Sequence, residues 1–221
     1  MNRERLMELN GKKIVFLGDS ITYGYGLANH KDVYWRVLGR NTGAETKGYG
    51  INGTRIAKQK VSVGAAYDAY FRTRVRKMDP DADIVMIFGG TNDFGHGDAP
   101  LGTMDDRTDD TFYGAVHSLC NELKQAYPEA EIIFMTPLRR SDEDAEYNDF
   151  GRPVIAPLTA YIMAVRRVCR AHEIPVLDLY DRLPDIVGYT IDGLHPDETG
   201  HRLIAQCIQA FLEEIQEGRM I

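Results

Sequence analysis

Four short stretches of this 221-residue chain carry residue types that together could do acyl-transfer chemistry. Gly18-Asp19-Ser20-Ile21-Thr22 puts a serine in a polar turn directly after an apolar run. Ile51-Asn52-Gly53 and Gly89-Gly90-Thr91-Asn92-Asp93 are glycine-bearing turns, the second with a buried-strand pattern before it. Near the carboxyl end, Thr190-Ile191-Asp192-Gly193-Leu194-His195-Pro196 spaces an aspartate and a histidine three residues apart. Acyl transfer needs a nucleophile, a base, a group that orients the base, and donors for the oxyanion. Ser20 can be the nucleophile. His195 can be the base, because an unperturbed imidazole titrates near neutrality. Asp192 can fix the imidazole tautomer and stabilise the imidazolium. The backbone N–H groups of Ser20 and Gly53 and the side-chain amide of Asn92 can hold the oxyanion. Gly53 suits that role because a side chain there would obstruct the acyl group.

Each stretch alone also has an ordinary structural reading. Asp19, Ser20 and Thr22 can cap a helix. Asp-x-x-His can be a helix-entry turn, the paired glycines before Asn92 can be a plain turn, and Gly50 rivals Gly53 for the oxyanion role. The conjunction carries more weight than its members, provided that the fold brings four distant loops together.

The elements that would do so are legible. Lys13–Leu17, Ile84–Phe88, Ile132–Met135 and Pro175–Leu179 are short continuous apolar runs, as expected for parallel strands buried on both faces. Ala44–Lys47 reads as a further short strand, running into a glycine-rich turn. Helical spacing predicts helices over Val33–Arg40, Ala65–Met78, Thr111–Tyr127, Leu158–His172 and Asp197–Gln216. Residues 94–110 and the polar stretch Leu138–Pro157 read as long loops, the latter as a lid or pocket wall. Alternating strands and helices predict a parallel sheet covered on both faces, within a single domain over 1–221. Right-handed crossovers then put Ser20, Gly53, Asn92 and His195 on one sheet edge. Trp35, the only tryptophan, is expected in the core or beside the Ser20 loop.

A net charge of −7 argues against a nucleic-acid footprint and against a polybasic membrane patch. No apolar run reaches the roughly 20 residues of a membrane-spanning helix, and Met1–Gly11 lacks the apolar core of a signal peptide. Cys120, Cys169 and Cys207 fall in separate helices without metal-ligand spacing, which fits free thiols and a cytoplasmic location. The position two after Ser20 is Thr22, so the Gly-x-Ser-x-Gly elbow of α/β-hydrolases is absent.

Gly18-Asp19-Ser20-Ile21-Thr22, Gly53, Gly90-Thr91-Asn92-Asp93 and Asp192-Gly193-Leu194-His195-Pro196 resemble, in order, the four blocks of the SGNH hydrolases, the GDSL-type esterases and lipases. The one minor departure is Ile21 where leucine is usual. The resemblance implies a flavodoxin-like three-layer α/β/α sandwich with a five-stranded parallel sheet. It also implies Ser20 as nucleophile, His195 as base, Asp192 as its partner, and Ser20, Gly53 and Asn92 as the oxyanion hole, with no metal or cofactor. The expected substrate is a small ester, acetylated carbohydrate foremost, with lysophospholipid or thioester as the alternative. Tyr23, His96 and Arg139 are candidate substrate contacts, and a homo-oligomer is left open. The rival from another class is a non-catalytic flavodoxin-like binding module, against which Asp19 would repel a phosphate.

Overall fold

Alternate residues of the first strand face opposite sides of a sheet, and both sides are covered. In the computed structural model, which describes residues 9–62 and 64–217, β1 (Lys13–Gly18) sends Ile14 and Phe16 to one side and Val15 and Leu17 to the other. The expectation about an N-terminal export signal therefore falls largely on residues outside those described. β2 (Glu45–Gly50), β3 (Ile84–Phe88), β4 (Glu131–Met135) and β5 (Val176–Leu177) complete a five-stranded sheet in the order β2-β1-β3-β4-β5. Every pairing is parallel. Strand order reverses direction between β1 and β3, the crevice where open α/β sheets bind ligands.

On one side, α4 (Phe112–Ala126) and α5 (Leu158–Ala171) pack Val116, Leu119, Leu123, Ile162 and Val165 onto Val15, Val85 and Phe134. On the other, α2 (Tyr34–Thr42) and α7 (Glu198–Gln216) pack Tyr34, Leu38, Ile204 and Ile208 onto Phe16, Met86 and Ile133. Three short helices, α1 (Ser20–Tyr23), α3 (Thr91–His96) and α6 (Leu179–Arg182), follow β1, β3 and β5 directly. This is the doubly wound sandwich that the strand–helix alternation predicts.

Three segments differ from expectation. The helix read over Ala65–Met78 is a 3-10 turn confined to Phe71–Lys77. Its first half lacks a buried face, since Tyr67 is exposed. The chain there is instead held to Arg55, which donates to the Tyr67 carbonyl and accepts from the Phe71 N–H. β2 runs through Gly48 and Gly50 rather than turning at them. The indole of Trp35 lies where a Gly48 side chain would go, and the backbone of Thr22–Tyr23 lies where a Gly50 side chain would go. The last strand is only two residues long, because Asp178 caps α6 by accepting from the Asp181 N–H. In addition, α3 extends to His96, so the loop read from residue 94 begins later. Trp35 is half-buried and its Nε1 donates to the Thr22 carbonyl (2.9 Å), bracing the Ser20 turn from below.

Candidate active site

The Ser20 turn is set by local chemistry. Gly18 ends β1 where any side chain would collide with Thr22. Asp19 then caps α1, its Oδ1 accepting from the Ile21 N–H (3.0 Å). Gly24, in the left-handed region, closes the turn. Ser20 is thus the first residue of a helical turn, where its own N–H has no intrahelical acceptor, and it is 95% buried at the sheet's carboxyl edge.

His195 reaches it from residue positions far along the chain. Its Nε2 lies 3.0 Å from Ser20 Oγ and its Nδ1 lies 2.7 Å from Asp192 Oδ2. The other carboxylate oxygen of Asp192 accepts the backbone N–H groups of Leu194 (3.0 Å) and His195 (2.7 Å). Burial pushes the Asp192 carboxyl up, but the His195 N–H, the imidazole and the Leu194 N–H outweigh it and hold it below the ordinary carboxylate range. A carboxylate accepting at Nδ1 requires the Nδ1–H tautomer, which leaves Nε2 bare to take a proton from Ser20. The Tyr25 ring packs against the imidazole, centroids 4.5 Å apart.

Gly53 and Asn92 come from the loops after β2 and β3. Gly53 has φ +70°, and the Tyr67 ring occupies the space of a side chain there. Gly50, its rival, owes its lack of a side chain to the close approach of the Ser20 turn. Asn92 is buried on α3; its Nδ2 donates to the Thr54 carbonyl (3.0 Å) and its Oδ1 faces His96 Nε2 (3.1 Å).

Buried charges tie these loops to each other. Arg74 donates to the carbonyls of Gly18 and Tyr49 and to Thr54 Oγ1, each at 3.0 Å, joining the ends of β1 and β2. Asp93 accepts from the Ile56 and Ala57 N–H groups (3.0 and 2.9 Å), joining the loop after β2 to α3. Burial pushes Asp19 up to about 7 and Asp93 up to about 6, and pushes His96 and His201 down to about 4.

These shifts oppose one another in stability. A carboxyl raised by folding contributes stability that is full below its unfolded pKa and is lost as pH rises through its folded value. A lowered histidine contributes stability that is lost as pH falls from about 6.5 to its folded value. The two effects offset from about pH 4 to beyond pH 7, because the histidines of the unfolded chain titrate near 6.5 while Asp19 titrates near 7 in the folded one. Asp19 is therefore isolated by comparison with a variant: in urea titrations the unfolding free energy of wild type relative to Asp19→Asn should fall by about 1 kcal/mol between roughly pH 6.5 and 8. A difference between the two proteins that stays constant or rises over this interval contradicts the assignment.

A cavity of about 610 Å³ is lined by Arg55, Tyr67, His96, Asp149 and Phe150. Of the candidate substrate contacts, His96 lines it. Tyr23 is exposed and packs edge-on against His30. Arg139 is held by Glu143 and Tyr180, whose ring it overlies, and does not line the cavity. The stretch 138–157 supplies Asp149 and Phe150 to the cavity wall, and Ser141 N–H donates to the Gly193 carbonyl beside Asp192 (2.9 Å). Arg140, buried, holds this stretch together through Asp142 and Asp149 and pins it to the Thr91 carbonyl on α3. Arg55, Arg74 and Tyr67 went unseen in the sequence, where a lone arginine or tyrosine has no spacing signature. Among the described residues, no group of three His, Cys, Asp or Glu side chains could hold a metal ion, and no helix is long and apolar enough to cross a membrane.

A doubly wound parallel sheet with a serine, an imidazole and a carboxylate in line on its carboxyl edge defines an acyl-hydrolase class. Residues 16–203 match the GDSL-like Lipase/Acylhydrolase family, and the chain belongs to it. A solved structure from Lactobacillus plantarum is 29% identical, with 93% of this chain and 98% of that one aligned at a TM-score of 0.77. The lipase/acylhydrolase from Enterococcus faecalis (22% identity, 92% and 96% covered, TM-score 0.66) and an acetyl xylan esterase (18%, 90% and 99%, 0.65) share the fold. No curated protein matches the sequence.

Proposed function

We propose that this family member is a serine esterase that moves a small acyl group, acetyl foremost, from an ester of a sugar to Ser20 and then to water. The observation that carries the reading is the continuous line Ser20 Oγ–His195 Nε2, His195 Nδ1–Asp192 Oδ2. His195 takes the Ser20 proton as Oγ attacks the ester carbonyl. The N–H groups of Ser20 and Gly53 and the Asn92 amide receive the oxyanion. The imidazolium then protonates the leaving alcohol, and water returns by the same route to release the acid.

The lining of the cavity supports a polyol leaving group, since Tyr67 and Phe150 stand beside charged and polar groups at Arg55, His96 and Asp149. Its aromatic residues also favour a second reading, a lysophospholipase- or thioesterase-type acylhydrolase. Unpaired Cys120, Cys169 and Cys207 support a reducing, cytoplasmic setting. Intact-mass analysis after treatment with a small fluorophosphonate, followed by peptide mapping, should place a single adduct on Ser20. Acetylated sugars should then turn over faster than long-chain esters or thioesters. A folded protein that takes no adduct overturns the nucleophile assignment, and faster turnover of long-chain or thioester substrates selects the second reading.

A further inference from the structure

Asn92 carries an oxygen and a nitrogen of nearly the same size on one planar amide, and only the nitrogen can stabilise an oxyanion. Something has to decide which of the two faces the reacting carbonyl. The Thr54 carbonyl takes one N–H, but the atoms on the other side of the amide are set by His96, one helical turn along α3.

The state of His96 is in turn dictated by Arg55. The Arg55 guanidinium has no lone pair to offer, so at 2.7 Å its Nη1 must donate to His96 Nδ1. Nδ1 is therefore bare, the ring proton sits on Nε2, and that proton is donated to Asn92 Oδ1 at 3.1 Å. Arg55 is itself fixed, with a side chain 1% exposed. Its Nη2 donates to the Tyr67 carbonyl (3.2 Å), and its Nε donates to Gln59 (2.8 Å) when that amide turns its oxygen inward. Burial and the nearby Arg55 and Arg140 guanidiniums keep the His96 ring neutral at physiological pH.

Building on the proposed hydrolase reading, we infer that Arg55 and His96 are positioning residues that lock the Asn92 amide with its N–H toward the oxyanion. Hydrogen-bond polarity passes in one direction along the relay, from guanidinium to imidazole to amide oxygen. His96 thereby acts on the transition state without touching substrate through this role.

Because the Thr54 carbonyl still biases the amide, losing the relay costs less than losing Asn92. On a short-chain ester, His96→Ala should lower kcat by about ten- to thirtyfold with KM changed by less than about threefold, against a hundredfold or more for Asn92→Ala. His96→Gln, whose amide offers an acceptor to Arg55 and an N–H to Asn92, should recover most of the loss. In an Asn92→Ala background, His96→Ala should cost nothing further, because the relay has no amide left to orient. An equal loss in both backgrounds, or no loss in either, overturns the role.

The tautomer is testable in wild-type protein without turnover, by nitrogen-15 NMR of the His96 ring. A proton on Nε2 with a bare Nδ1 is expected, and an Nδ1–H ring or an imidazolium at neutral pH overturns the relay. Wild type that neither hydrolyses esters nor takes a Ser20 adduct overturns the hydrolase reading instead, and leaves the tautomer measurement to stand on its own.

Discussion

Ser20→Ala is expected to remove ester turnover by about a millionfold while leaving the fold in place. Among the described residues, the hydroxyl makes one side-chain hydrogen bond, to His195 Nε2. The turn around it is held by Asp19, Gly18 and Trp35, none of which depends on Oγ. Thermal unfolding and circular dichroism should therefore match wild type. The His195→Ala enzyme should be damaged to a similar degree, and the double variant hardly more, because nucleophile and base act as one unit. Residual turnover of a few per cent in cleanly prepared Ser20→Ala would place the nucleophile elsewhere.

Asp192→Asn should be less harmful than losing Ser20 but still severe, with a loss of about a thousandfold to ten-thousandfold in kcat. The reason lies in the backbone around it. Asp192 Oδ1 accepts two N–H groups, from Leu194 and His195. In the asparagine variant that position must be the amide oxygen, since an NH₂ there would face two donors. The amide nitrogen is then forced to the Oδ2 position, opposite His195 Nδ1. It can only donate, so Nδ1 becomes the acceptor and the ring proton moves to Nε2, facing Ser20. A base with its proton already in place cannot take another. Steady-state kinetics on a short-chain ester test this, and a loss below about tenfold would show that the carboxylate does not set the tautomer.

The strands and most helices were legible because their signals are local. β1, β3 and β4 are apolar runs bounded by glycine, proline or aspartate, and periodicity marks α4, α5 and α7. The family blocks also lie within single turns, so Ser20, Asn92, Asp192 and His195 could be named from residue type and order. The fold joins the first, third and fourth in one hydrogen-bonded line through His195. Legibility failed where a distant partner decides the local form. The helix expected over Ala65–Met78 contains strong spacing at Phe71 and Val75. Arg55 nevertheless holds the Tyr67–Phe71 backbone, and Arg74 turns inward to carbonyls at Gly18 and Tyr49.

By itself, the sequence determined the parallel sandwich, the edge on which four loops meet, and the residue types available there. Those follow from side-chain period and turn chemistry, which act over a few residues. Only the tertiary structure decided which atoms face which. The seating of His195 against Ser20, the orientation of Asn92 through His96 and Arg55, and the aromatic cavity wall from Tyr67 and Phe150 depend on partners dozens of residues apart. Hydrogen-bond polarity in a buried site is settled by the last donor or acceptor in the chain of contacts, and no spacing in one dimension records it.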